Sequence, residues 1–170
     1  MQRKTFPILI AILAAVLLTS TVFAGNIKFS NVTFDLGSLI AKGDLTGLGN
    51  DNVKVQLDAS GFPLVICTNQ GGNQAPGQNP PKVSASGYQD ILKVYKNGKS
   101  PFDVETEDPP EFVDPIVYGC PNENWTAQID FIFWTEATIS VYDLYSGEFL
   151  ASQDYTCETT RDSVTCEPVK

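Results

Sequence analysis

The sequence predicts an all-β chain: a single β-sandwich of about nine or ten short strands, with Greek-key connections of immunoglobulin-like type. Three observations carry this. Apolar residues alternate with polar ones at period two in several stretches, the mark of strands with one buried face. Gly, Asn and Ser turn signals punctuate the chain between those stretches. Beyond residue 24, no window keeps an apolar period of 3.6 residues over three turns. A closed barrel is the alternative, because periodicity does not separate it from a sandwich.

The first element is a targeting segment over residues 1–24. Arg3 and Lys4 form a basic start, Phe6 to Leu18 an apolar core, and Val22-Phe23-Ala24 presents a small-residue cleavage site ahead of Gly25. The apolar core is shorter than the ~20 residues that span a bilayer. A cleaved signal helix is therefore expected, with the mature domain running over residues 25–170. Residue 25 is Gly, not Cys, so no lipid anchor is indicated. No membrane span is expected in the mature chain, and the expected location is extracellular or at the cell surface.

The first mature strand changes parity. Ile27 and Phe29 share one, while Val32, Phe34 and Leu36 share the other. A bulge near Ser30-Asn31 would return both sets to one face, since one extra residue flips every side chain beyond it. Ser38 to Leu45 is ambiguous, and Gly37 and Gly43 argue against a helix there. After the turn Gly47-Leu48-Gly49-Asn50, the residues Val53, Val55, Leu57 and Ala59 alternate with Lys54, Gln56 and Asp58. Asn97-Gly98 predicts a type I′ hairpin between Ile91–Tyr95 and Phe102–Val104, because both central positions need positive φ.

Further on, Trp125, Ala127, Ile129, Phe131 and Phe133 share one parity. Ile132 and Trp134 are apolar on the other, so this end of the strand is expected to be covered on both sides. Ile139 and Val141 mark another strand, and Phe149, Ala151 and Tyr155 a further one after the turn signal Ser146-Gly147.

The four cysteines all lie in the mature part, and an even number in an exported chain predicts two disulfides. A hairpin centred on Arg161-Asp162 would set Cys157 opposite Cys166, leaving Cys67 to pair with Cys120. A Cys₄ metal site normally shows C-x₂-C spacing, which neither pair has.

Composition removes several function classes. Among 170 residues there is no His, so Ser-His-Asp and Cys-His catalysis and His metal ligation are absent. Cleavage would leave 9 basic residues against 20 acidic ones, a charge of −11. Such a surface has no basic patch with which to release counterions from nucleic acid. No G-x-S-x-G, P-loop or dinucleotide fingerprint is present. Paired carboxylates could in principle hydrolyse a glycosidic bond, but with 20 acids some pair always lies at a suitable distance. No enzyme is expected, and a secreted carboxylate hydrolase is the remote alternative.

Three segments are candidates for binding. Thr68 to Pro81 holds Asn, Gln, Gly and Pro three times each, with no charge. The amides of Asn69, Gln70, Asn73, Gln74, Gln78 and Asn79 suit a sugar or a partner's backbone, although a Pro-stiffened surface loop without secondary structure is the preferred reading. Asp103, Glu105, Glu107, Asp108, Glu111 and Asp114 put six acids in twelve residues. Of these, Asp103, Glu105, Asp108 and Glu111 are the candidate ligands for Ca²⁺, the only cofactor considered. A solvated acidic loop is preferred, and the same holds for the second oxygen cluster, Asp44, Asn50, Asp51 and Asn52. Trp125, Trp134, Tyr142 and Tyr145 could make an aromatic platform for a sugar. Trp125 is assigned to the core, and Trp134 and Tyr142 are the surface candidates. Asn31-Val32-Thr33 and Asn124-Trp125-Thr126 match the N-glycosylation pattern.

The run CTNQGGNQAPGQNPPKV, Cys67 to Val83, resembles a group of small secreted bacterial proteins of unknown function. DLTGLGN (Asp44 to Asn50), KNGKSPF (Lys96 to Phe102) and CPNENWTAQIDF (Cys120 to Phe131) are similar to the same group. The resemblance implies secretion and a shared fold, and carries over no catalytic residue. The expected function is a secreted structural or interaction module whose partner is a surface, matrix, glycan or protein. A Ca²⁺-dependent carbohydrate-binding module is the alternative.

Overall fold

The computed structural model describes residues 26–92 and 98–170. The expected signal segment and Asn97 of the expected hairpin turn lie outside the described residues. Ten strands follow in order: β1 (Lys28–Asp35), β2 (Ile40–Thr46), β3 (Val53–Thr68), β4 (Gln74–Pro76), β5 (Val83–Ile91), β6 (Lys99–Glu105), β7 (Phe112–Val113), β8 (Thr126–Asp143), β9 (Phe149–Thr159) and β10 (Val164–Pro168). They form two antiparallel sheets packed together as a sandwich. The small sheet has the order β1-β2-β6. The large one runs β10-β9-β8-β3, with β5 and β4 dividing the far edge of β3 and β7 on β8. The chain passes between the sheets from β2 to β3, from β5 to β6 and from β6 to β7, connections of the kind a Greek key uses.

The expected bulge in β1 is present. Ser30 pairs with Asp44 and Thr33 with Lys42, so β1 holds one residue more than β2 over this step. Asn31 takes positive φ within it, at +54°. As a result Ile27, Phe29, Val32, Phe34 and Leu36 all pack on the main core. The ambiguous stretch 38–45 is mostly strand β2, with Leu39, Ala41 and Leu45 fully buried.

The central pair is longer than its pieces suggested. Alternation in β3 continues past Ala59, so every odd position from Val53 to Cys67 is buried. The two separate strands expected around Ile129 and Ile139 are one strand, β8. Two bulges interrupt it. Ser60 pairs with Glu136 but Gly61 with Trp134, so Thr135 is extra. Leu64 pairs with Phe131 but Val65 with Ile129, so Asp130 is extra. Between these residues the parity reverses: Ile132 and Trp134 turn to the core, and Phe131 and Phe133 turn outward, half-buried. The change of apolar parity at Ile132 and Trp134 therefore marks a turned strand rather than one covered on both faces. Backbones approach closely at the Thr135 bulge, where a Cβ on Gly61 would meet the Phe133 carbonyl.

The expected hairpin between β5 and β6 is corrected in the same way. Val53 pairs with Ile91 of β5, whereas Phe102 of β6 pairs with Gly43 of β2. The strands on either side of Asn97-Gly98 thus belong to different sheets.

Both disulfides pair as expected, Cys67 with Cys120 and Cys157 with Cys166. Cys157 and Cys166 are direct partners in the β9–β10 ladder. Tyr155, two residues before, packs edge-on against Phe34 across the sandwich, ring centroids 5.0 Å apart. Burial pushes its hydroxyl from an ordinary value of 10 up to about 12. The unfolded chain thus releases this proton first on going alkaline. The contribution to stability is complete below pH 10 and is lost as pH rises through 12, amounting to about 2–3 kcal/mol. Tyr155→Phe should flatten the fall in urea midpoint over that window. An unchanged alkaline slope would show that Tyr155 is not the group responsible.

Candidate functional site

The outer face of the large sheet carries a row of side chains across four strands, three of them aromatic. In β5 the odd positions Val83, Gly87 and Ile91 are buried, so the even ones, Ser84, Ser86, Tyr88 and Asp90, point to solvent. Tyr88 pairs with Gln56, and Asp90 with Lys54. Lys54 in turn pairs with Tyr142 of β8, and Tyr142 with Phe149 of β9. Lys54, Tyr142 and Phe149 therefore lie side by side, and Tyr88 is set diagonally from Lys54, two residues along β5 from its partner Asp90. Three strand spacings of ~4.8 Å make the row about 14 Å long.

Its members touch. Lys54 Nζ stands 4.9 Å from the centroid of the Tyr88 ring, a cation–π geometry. Tyr142 and Phe149 meet edge to face at 5.8 Å. Tyr88 and Phe149 remain 66% and 56% exposed, large values for rings held in place on strands. Beyond Tyr142 the chain turns, and Tyr145 extends the row at 79% exposure, its hydroxyl accepting a hydrogen bond from Asn52 Nδ2 at 2.9 Å.

The turn itself is built by Asp143. Its carboxylate accepts from the Ser146 N–H at 2.6 Å, the Ser146 hydroxyl at 2.8 Å and the Tyr145 N–H at 3.0 Å. These bonds, the Ser146 N–H foremost, hold the Asp143 carboxyl below its ordinary range. Beside the row, Gln56 Nε2 donates to both oxygens of Asp58, at 3.0 and 2.8 Å, which leaves further lone pairs on Asp58 outward. The surface thus offers flat rings with amide, carboxylate and ammonium groups along one edge.

The expected site residues are dispersed. Trp134 is 1% exposed and donates its indole N–H to the Gly37 carbonyl at 3.5 Å, so it is core and not a surface aromatic. The bulges in β8 are the reason. Trp125 is half-buried, against the small cluster of Val65, Cys67, Cys120 and Ala127. Tyr142 does lie on the exposed face.

The 68–81 segment is more ordered than a free loop. It contains β4, which pairs with β3, and Gly77 and Gln78 donate backbone N–H groups to the Val65 and Gly119 carbonyls. Asn69 spends its side-chain oxygen on the Gly71 and Asn73 N–H groups, both at 2.9 Å. Gln70, Asn73, Gln74, Gln78 and Asn79 are exposed. This segment joins Thr68 at one end of β3, while Tyr142 stands beside Lys54 at the other. At ~3.3 Å per residue these are more than 40 Å apart, so the amides and the aromatics do not share a site.

The acidic run is divided too. Asp103 and Glu105 lie on the solvent face of β6, with Asp103 3.8 Å from Lys42. Asp108 and Glu111 belong to the segment that follows and are held by Ser38 and Gln128. Of the second oxygen cluster, Asp44 accepts from Asn31 and Asn52 donates to Tyr145. Among the described residues no group of three or more carboxylates converges closely enough to hold a metal ion, and no helix is long and apolar enough to cross a membrane. No family model, curated protein or solved structure matches the chain.

Proposed function

We propose that this chain is an exported binding module that grips a glycan chain on the outer face of its large sheet. The observation that carries the reading is the aromatic row of Tyr88, Tyr142 and Phe149, extended by Tyr145. Exposed rings anchored on strands stack on the C–H faces of sugars, while the Tyr hydroxyls and the neighbouring Gln56, Asp58 and Asp90 serve the sugar hydroxyls. A row of about 14 Å suits an extended polymer better than a single small molecule. Export is supported by the order of residues 1–24 and by two disulfides, which persist in oxidising compartments.

Affinity electrophoresis and pull-down on cellulose, chitin, xylan and peptidoglycan test this. Retention is expected on at least one polymer. Each ring removed, as Tyr88→Ala or Tyr142→Ala, should weaken binding roughly tenfold, about 1.4 kcal/mol. Both variants should keep their melting temperature within a few degrees, because Tyr88 is exposed and Tyr142 half-buried. Binding should be insensitive to EDTA. Loss in EDTA with recovery in Ca²⁺ would move the reading to a calcium-dependent module. Retention unaffected by the double Tyr variant, or on none of the polymers, would overturn the proposed face.

A further inference from the structure

A second surface lies on the opposite edge of β8. Strand partners cover this edge at Ala127 and Gln128, through β7, and from Glu136 to Tyr142, through β9. Among the described residues no strand pairs with it between Asp130 and Trp134. The Trp134 carbonyl is taken by the Thr159 hydroxyl at 2.8 Å, where β9 stops following β8.

A cleft of about 390 Å³ opens there, and Ile129, Phe131 and Ile132 supply its apolar lining along the strand edge. Gly37 and Ser38, from the turn between β1 and β2, and Asp108, Pro109 and Glu111 complete the lining. The rim is acidic on both sides. Asp108 accepts from the Ser38 hydroxyl on the small-sheet side. Glu111 accepts from Gln128 Nε2 at 3.0 Å, on the outer face of the large sheet. Asp130, the extra residue of the bulge between Phe131 and Ile129, also lines the cleft.

Among the described residues one ion pair involves these three carboxylates: Arg161, from the β9–β10 turn, lies 3.6 Å from Asp130 and is itself mostly exposed. The hydrogen-bond partners of Asp108 and Glu111, Ser38 and Gln128, are neutral and leave lone pairs on both carboxyl groups to spare. An apolar lining with separated carboxylates complements a bulky apolar side chain flanked by ammonium or guanidinium groups on long stems. The open strand edge suits a segment in extended conformation.

From this we infer that the cleft docks a short, extended, basic segment of a partner protein, with an apolar side chain on the Ile129–Ile132 lining and Lys or Arg on Asp108, Glu111 and Asp130. This does not depend on the glycan reading, which uses another face of the sheet.

Fluorescence polarisation with the intact, oxidised protein tests it. The probe is a labelled eight-residue peptide of alternating Lys and Val. Micromolar binding at low salt is expected, weakened at least tenfold in the triple variant Asp108→Asn, Glu111→Gln, Asp130→Asn. The rim carboxylates are exposed, and unchanged thermal melting will show that this variant folds. A Ser-Val peptide and a Lys-Ser peptide should each bind at least tenfold more weakly than Lys-Val, since one lacks the charge and the other the apolar side chain. Asp58→Asn with Asp90→Asn, on the aromatic face, should change binding less than twofold. Undiminished binding to the triple variant, an equal loss with the Asp58 and Asp90 changes, or equal binding of the Lys-Ser peptide would each overturn the inference. So would the absence of Lys-Val binding at low salt.

Discussion

Replacing Cys67 and Cys120 together by Ala should lower the unfolding free energy by about 4 kcal/mol, against about 2.7 kcal/mol for replacing Cys157 and Cys166. The chain-entropy model gives these figures from the loops closed, with sequence separations of 53 and 9. Packing points the same way. Cys67 and Cys120 account for half of a four-residue buried cluster, with Val65 and Ala127, at the far end of the central strand pair. Cys157 instead belongs to the main core, and the ladder from Val164 to Pro168 also holds the β9–β10 hairpin. A domain of this size typically has ~5–15 kcal/mol in all, so the first change approaches the threshold for folding while the second loosens a hairpin. Urea titrations of the two double variants decide the matter. A lower midpoint for Cys157→Ala/Cys166→Ala than for Cys67→Ala/Cys120→Ala would contradict both the entropic and the packing argument.

Trp134→Ala should be about as severe, at about 3–5 kcal/mol, because a fully buried indole leaves a cavity and a lost hydrogen bond to Gly37. The melting temperature should fall by roughly 10 °C or more. The informative comparison is Phe133→Ala. Strict alternation from Ile129 through Phe133 places Phe133 inward and Trp134 outward. With the bulges at Asp130 and Thr135 the assignment reverses, and Phe133 lies half-buried opposite Phe62, itself 50% exposed. Phe133→Ala should therefore cost well under half as much as Trp134→Ala. Equal losses would mean that the register between β3 and β8 is not the one described.

That outer corner is partly shielded by Lys82, whose Nζ lies 5.7 Å from the Phe62 ring and 2.7 Å from Glu136. Its hydrogen bond, with that of Ser60, holds the Glu136 carboxyl below the ordinary range. The associated stability is present above the unfolded pKa and is lost as pH falls through the folded one. It is small, because the pair is exposed and solvent screens it.

Alternation within single stretches was enough to identify the strands, because the side-chain period of a strand is a local property of the backbone. It also located the β1 bulge, where the parity of Phe29 and Val32 conflicts within one short strand. The β8 bulges left a similar mark in the parity change at Ile132 and Trp134. An apolar residue on each face has two explanations, though, and the chain alone does not choose between them. Tyr88 could have been placed from Ser84, Ser86 and Asp90, its polar companions of the same parity. Phe149 could not, because the register shift between Val141 and Tyr142 sets which face it takes.

By itself the sequence determined the all-β class, the bulge at Asn31 and the Cys157–Cys166 hairpin, and with that hairpin the second bridge by elimination. Each rests on neighbours a few residues apart, where backbone geometry leaves few choices. Only the tertiary structure decided that β5 and β6 enter different sheets, that Trp134 is core, and that Tyr88, Lys54, Tyr142 and Phe149 form one row. Those outcomes depend chiefly on pairings between residues 32 to 88 positions apart, from Gln56 with Tyr88 to Lys54 with Tyr142. Such pairings are chosen by the joint burial of two sheet faces, to which each strand contributes only part of the apolar surface.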